Sequence, residues 1–368
     1  MDHFLSQKFK FYTFVCIALL LYVHGYNLNE RFLTPYSLVK ERLTFTTFIE
    51  YFLANGALRF RIPMLFIISG YIFSLQDKRP YWEFIKKRFS TLIIPFFIWS
   101  AVGLAITYLW QQFPVTAQAV KDSQLDQLGD NRPYREIGWR GILHRWAVAP
   151  VSFQLWFIRS LFFYNLLYPF IRFAVTRYTY IWFGVLFLFW HTIFNILFIE
   201  GQGLFFFSLG VWLYTSNYPI HKKPGWFSHY LSWLFFIGVS VIKTFMAFEL
   251  EEENYVTHYI MYALHDISIG AGILAIWFSA DLIVKWLMNK EWFAWATAFS
   301  FVIYALHVPL VEYATQLAFI YWHNLPNYRL LTYLVVPIVI LFFCIGFGAL
   351  LRNLLPRVYR LATGGRGF

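Results

Sequence analysis

The residues able to do chemistry in this chain lie inside stretches built for lipid. "LLLYVHG" is apolar up to His24, and an ionisable group at that depth is costly enough to mark a functional site. Arg59 and Arg61 interrupt "ANGALRFRIPM", Arg159 lies in "QLWFIRSLFFY", His265 and Asp266 in "MYALHDISIG", and His307 in "SFVIYALHVPL". A neutral imidazole can act as a general base, and a guanidinium can orient an acceptor or steady a developing oxyanion. Desolvated charges must pair or face a wet cavity, so these residues are expected to line one polar chamber near the outer face. The competing reading places His24 among lipid headgroups, facing water. Other polar residues carry plainer expectations. Lys243 is expected to snorkel to the interface, His191 near mid-membrane to be a hydrogen-bonded packing residue, and Glu312 to face water. Neighbouring His265 and Asp266 point about 100° apart on a helix and do not pair by adjacency.

The elements that must position these groups follow from composition. The chain has 368 residues, 59% hydrophobic and 13% charged, with 16 Trp, 25 Tyr and 44 Phe. Soluble domains carry about a quarter charged residues. Apolar runs close to the bilayer-spanning length recur, and the aromatic residues suit its two interfaces. The expected fold is an all-α, polytopic transmembrane bundle of about ten spans, at 9–26, 57–75, 91–110, 153–171, 181–199, 204–214, 228–248, 259–280, 293–313 and 331–351. One membrane-embedded domain, 1–368, is expected, with no internal repeat and a longer extracytoplasmic loop near 111–152 that could hold an amphipathic helix.

Lys and Arg fall in alternate loops: Lys8 and Lys10, Lys78 to Arg88, Arg172 and Arg177, Lys222 and Lys223, Lys285 and Lys290, and the arginines from Arg352 to Arg366. Both termini are therefore expected in the cytoplasm. The net charge of +11 reads as a topology signal and requires no nucleic acid. His24, beyond Lys10 by about 21 Å of helix, falls in the outer half. Cys16 and Cys344 lie in apolar runs without metal-ligand or disulfide spacing. No small-residue cleavage site follows the first span, which is expected to remain in the mature protein. On the inner side, "QDKRPYWEFIKKRFSTLIIPFF" places Lys86, Lys87 and Arg88 at the mouth of the third span. Such a cluster attracts phosphate groups, although anchoring to anionic lipid explains it without a ligand.

Taken in order, "LLLYVHG", "RFRIPMLFIISGYIFS", "KKRFSTLIIPFFIW", "QLWFIRSLFFYNLLYP", "GLFFFSLGVWLY" and "IYALHVPLV" resemble acyltransferase family 3, integral membrane enzymes that modify surface glycans. The likeness spans nearly the whole chain. It implies transfer of an acyl group, usually acetyl, from cytoplasmic acyl-CoA to a hydroxyl of an extracytoplasmic or lipid-linked carbohydrate. His24 matches the family's first-span histidine and is the expected catalytic residue, either as general base or as an acyl carrier, with Arg61 and Arg159 in support. Arg88, with Lys86, Lys87 and Ser69 of the Ser69–Gly70–Tyr71 block, would hold the donor. Ser69–Gly70 is read as a helix break where backbone approaches a ligand. Arg59, His265, Asp266, His307 and Trp156 would contact the acceptor. This chain departs from the family at Thr13, where many members have arginine and Lys10 could substitute, and at Thr91, where many have a second basic residue.

The resemblance implies no permanently bound cofactor, with acyl-CoA as co-substrate. The expected partners are a carbohydrate or glycolipid acceptor, acyl-CoA and membrane lipid, with a homodimer allowed, in a bacterial inner membrane. Two readings from other classes stand beside it. One is a transporter or flippase of a glycolipid or small anion whose histidines shuttle protons, and the other is a non-catalytic partner in polysaccharide assembly.

Overall fold

Backbone polar groups in lipid must find partners within their own segment, and the apolar runs accordingly fold as helices. The computed structural model describes residues 2–28, 34, 36–76, 80–250 and 255–367. Lys78, Arg79 and the acidic stretch 251–254 lie outside the described residues.

In chain order, α1 (His3–His24) precedes α2 (Phe45–Tyr51), which opens on a reciprocal cap between Thr44 and Thr47. A π-helical turn, Phe52–Ala57, leads to α3 (Arg61–Ser74). α4 (Tyr81–Arg88) continues through a second π turn, Phe89–Ile93, into α5 (Ile94–Trp110). The polar loop then folds as α6 (Pro114–Ser123) and α7 (Tyr134–Ala147). α8 (Trp156–Leu166) and α9 (Tyr168–Arg177) are separated at Leu167, with Pro169 in the first turn of α9. α10 (Thr179–His191) is joined by the hairpin β1 (Asn195–Ile196) and β2 (Ile199–Glu200) to α11 (Gly201–Thr215). There follow α12 (His229–Glu249), α13 (Tyr255–Ser279), α14 (Asp281–Met288), α15 (Glu291–Thr297), α16 (Ser300–Trp322), α17 (Tyr328–Leu354) and α18 (Pro356–Thr363).

Among the described residues, seven helices are long and apolar enough to cross a membrane: His3–His24, Phe45–Ser74, Tyr81–Trp110, His229–Glu249, Tyr255–Ser279, Ser300–Trp322 and Tyr328–Leu354. This is the all-α polytopic bundle that the sequence implies. The other three expected spans are shorter helices. The 153–171 segment is divided between α8 and α9, 181–199 ends at His191 and turns into the hairpin, and 204–214 is α11. The second span also begins earlier than expected, so Arg59 and Arg61 lie within its helical stretch. The ninth begins later, because 291–297 folds as the separate α15, and His307 falls in the first third of α16.

The described chain forms two compact units. The first comprises Met1–Leu19, Tyr26–Ile85 and Phe163–Ala294; the second comprises Leu20–Gly25, Lys86–Phe162 and Trp295–Phe368. In the first unit α1 runs antiparallel to α13. The Tyr12 hydroxyl donates to the Ile276 carbonyl at 2.6 Å, and Lys8, only 1% exposed, pairs with Asp281 at 2.6 Å. α3 packs closely on α11 because Gly70 and Gly210 present bare backbone to each other's helix. A methyl on Gly70 would overlap the Phe207 carbonyl, and one on Gly210 would overlap that of Ile67. The Ser69–Gly70 block is thus a helix crossing within unbroken α3, not the expected break, since small residues let two backbones approach. In the second unit α16 packs on α17, and α18 lies on α5, where the Trp99 indole donates to the Ala362 carbonyl at 2.8 Å.

Gly70→Val is expected to lower the melting temperature in detergent, at a cost of about 1–3 kcal/mol or more. Gly184→Ala, where an added methyl meets nothing within 4 Å, is expected to leave melting unchanged. Equal melting of the two variants would contradict the crossing.

Candidate active site

A proline break in α16 organises the second unit. Pro309 has no N–H to offer the carbonyl of Ala305, four residues earlier, and the helix opens at Val308 (φ −103°, ψ 128°). Side chains from the turn before α8 take up the freed carbonyls. The Gln154 amide donates to Ala305 at 3.0 Å and to Val308 at 3.1 Å, and the Ser152 hydroxyl donates to Val308 at 3.0 Å. The backbone carbonyl of Gln154 in turn accepts from the Tyr304 hydroxyl at 2.6 Å.

His307 sits one residue before this opening and is fully buried. Its Nδ1–H donates to the Ile303 carbonyl at 2.9 Å, so in the neutral ring Nε2 carries the basic lone pair. The His24 imidazole, on the last residue of α1, lies 5.3 Å from that of His307 between ring centres. It also meets Phe153 edge-on at 4.9 Å. His24 is half-buried against these rings, which distinguishes it from a histidine simply facing water. Arg159, in the same unit, donates to the Val148 carbonyl at 2.7 Å, and its guanidinium centre lies 5.7 Å from the Phe96 ring. Trp156 is half-buried at the start of α8.

The first unit gathers a different set. Lys243 is wholly buried: its ammonium donates to the Asn55 carbonyl at 2.6 Å and to His265 Nδ1 at 3.2 Å. The expected snorkelling does not occur, because the π turn offers an acceptor within the bundle. Arg59 donates to the Asn55 side-chain oxygen, and Arg61, 2% exposed, to the Leu58 carbonyl. Asp266 pairs with His191 Nδ1 at 2.8 Å. His191 is hydrogen-bonded as expected, but it ends α10 and its partner is another of the singled-out residues. Tyr36 stands edge-on to His265, 6.2 Å between ring centres. Glu312, in the second unit, is buried at 3% exposure, contrary to the expectation that it faces water.

The donor-side residues separate by exposure. Lys86 and Lys87 are exposed on α4, whereas Arg88 is half-buried; Ser69 is half-buried in the first unit. Near Thr13, Lys10 is exposed and the buried cation is Lys8. Among the described residues, no three His, Cys, Asp or Glu converge as metal ligands. A cleft of about 410 Å³ in the first unit is lined by Phe73, Tyr81, Tyr168 and Arg172 among others, and none of the singled-out residues borders it.

Some contributors escape a sequence reading. Gln154 and Ser152 look like ordinary loop residues, although the proline two residues after His307 signals a break needing donors. Glu200, in the turn ahead of α11, has one carboxylate oxygen sealed from solvent, and burial pushes its pKa up to about 7. Asn55 gains its role only from the π turn.

The profile of the acyltransferase domain family matches residues 14–351, a stretch that includes His24, the α16 break and both buried polar sets. The chain belongs to this acyltransferase family. With seven membrane-length helices, the acyltransferase is an integral, multi-pass membrane protein. It is similar to the succinoglycan biosynthesis protein ExoH of Rhizobium meliloti (strain 1021), 25% identical over 380 residues that cover 100% of this chain and 94% of the relative. No solved structure matches the acyltransferase.

Two outcomes follow for purified acyltransferase in detergent. Gln154→Ala is expected to destabilise it by about 1–3 kcal/mol in thermal unfolding, because the Ala305 carbonyl loses its donor. Glu200 ionises less readily folded than unfolded, so its contribution to stability is full below the ordinary carboxyl value of 4.5 and falls as pH rises towards about 7. The stability difference between wild type and Glu200→Gln, followed by unfolding at several pH values, is expected to fall across that window; a flat difference would contradict it.

Proposed function

We propose that the acyltransferase moves an acyl group, most simply acetyl, from cytoplasmic acyl-CoA to a hydroxyl of an extracytoplasmic or lipid-linked carbohydrate. The observation that carries this reading is the His24–His307 pair, two imidazoles 5.3 Å apart beside an opened helix backbone in a chain of this family. The relative named for succinoglycan biosynthesis supports a glycan as acceptor.

In the proposed step the carbohydrate hydroxyl oxygen attacks the thioester carbonyl carbon while His24 takes the hydroxyl proton. The tetrahedral oxyanion collapses, the C–S bond breaks, and the imidazolium returns its proton to the coenzyme A thiolate. The products are an O-acyl carbohydrate and free coenzyme A. A relay through an acyl-histidine consumes and releases the same species. Arg159 would steady the oxyanion, and Arg88 would meet the donor phosphates.

A chain of packed side chains leads to the break within the second unit. The ring of Phe301 lies 5.8 Å from that of Tyr304, Tyr304 binds Gln154, and Gln154 holds the break next to His307.

The test is transfer of labelled acetyl from acetyl-CoA to an added glycan by purified protein. Wild type is expected to transfer, and His24→Ala to fall by about 10²–10⁴-fold. Full activity in His24→Ala would overturn the assignment, and solute counterflow without acyl transfer would favour the transporter.

A further inference from the structure

From Leu351 to Phe368 the chain carries four arginines, Arg352, Arg357, Arg360 and Arg366, and no Asp or Glu. Two of them hold the segment in place. Pro95, in the first turn of α5, offers no N–H to Thr91, four residues before it in the π turn. The Thr91 carbonyl accepts from Arg366 at 2.8 Å, and Gly364 (φ +61°) turns the chain where a Cβ would strike the Thr91 backbone. Arg352 donates to the Gly367 carbonyl at 3.1 Å, and its guanidinium centre lies 4.6 Å from the Phe299 ring. The other two, Arg357 and Arg360, are exposed on α18.

Residues three apart share a face of a helix, and α18 shows three such stripes. Tyr359 and Ala362 are buried, the latter at the carbonyl that accepts from Trp99 of α5 at 2.8 Å. Val358 and Leu361 form an exposed apolar stripe, and Arg357 and Arg360 an exposed basic one. The apolar stripe continues a larger surface. Phe342, Phe343, Leu350 and Leu354 of α17 and then Leu355 are all more than half exposed, and α17 is long and apolar enough to cross a membrane. Only Leu355 separates that span from α18, so α18 lies at a membrane surface. Water over the whole exposed face would leave the valine and leucine stripe unburied, and hydrocarbon over all of it would strand two guanidiniums. The lipid interface satisfies both, with apolar side chains in the acyl boundary and cations at the headgroups.

We propose that α18 is a binding surface for anionic phospholipid, with Arg357 and Arg360 on the headgroup phosphate and Val358 and Leu361 against its acyl chains. Guanidinium geometry suits phosphate. A lipid of net negative charge is favoured over a zwitterionic one, whose headgroup brings its own cation towards the arginines. The surface does not depend on the reaction proposed above.

The test is site-specific quenching in the full-length protein. Cys16 and Cys344 are buried, so Leu361→Cys supplies the thiol for a fluorophore. The protein is placed in phosphatidylcholine vesicles containing a small, equal fraction of nitroxide-labelled phosphatidylglycerol or nitroxide-labelled phosphatidylcholine. Labelled phosphatidylglycerol is expected to associate with α18 about tenfold or more better than labelled phosphatidylcholine, from about fivefold per arginine. Adding Arg357→Gln and Arg360→Gln is expected to bring the two lipids to equal quenching with melting as in the parent, and Arg357→Lys with Arg360→Lys to keep most of the preference. Equal quenching by both lipids with the arginines present would overturn the proposal, as would a preference that survives the double Gln change. Absence of quenching by either lipid would show that the face does not meet the membrane. Loss of the preference on adding coenzyme A would assign the pair to a soluble phosphate ligand and overturn the lipid role.

Discussion

A carbonyl robbed of its helical partner by proline is the constraint on which the second unit is built. In an apolar interior such a group must be paired, at a cost of about 1–3 kcal/mol if it is not. At Ala305 the donor is Gln154, which ties the turn before α8 to the opened backbone of α16. That tie places Phe153, the residue between Ser152 and Gln154, where its ring meets His24. The relation of the two imidazoles therefore depends on backbone accounting as well as on the imidazoles themselves. At Thr91 the same deficit draws in Arg366 and anchors the end of the fold on the mouth of α5.

The first unit meets a related demand with different means. Its buried ammonium, Lys243, is held by a backbone carbonyl and an imidazole lone pair, and neither bond neutralises it by a carboxylate in contact. Asp266 instead binds His191. A buried lysine can be satisfied by neutral dipoles, as here, or by a paired carboxylate. Lys8 shows the second arrangement, paired with Asp281 and lying 4.4 Å from the Trp277 ring.

Much of this was legible in the residues. Long apolar runs and sparse charge specify a helical membrane protein, and the ordered blocks from "LLLYVHG" to "IYALHVPLV" identify the family. His24 and His307 both stand out as polar residues in apolar stretches, and the structure brings them together. What could not be read was pairing. Which of several polar residues meet depends on helix rotation and register, so Lys243 found Asn55 and His265 instead of the interface. Span boundaries also moved where short helices intervened: α15 shifts the start of α16. The role of Gly70 was hidden because an absent side chain serves a ligand and a crossing helix equally well.

The segment between α5 and α8 is folded throughout much of its length. Arg145, 2% exposed, clamps Asp126 at 2.6 Å from within α7, so the guanidinium fastens the stretch after α6 to the helix that follows. Trp139, 71% exposed on that same helix, is left turned to the surroundings. An internal rivet with a bare outer face separates durability from adornment: the exterior of this segment can be redecorated by mutation without loosening the joint beneath.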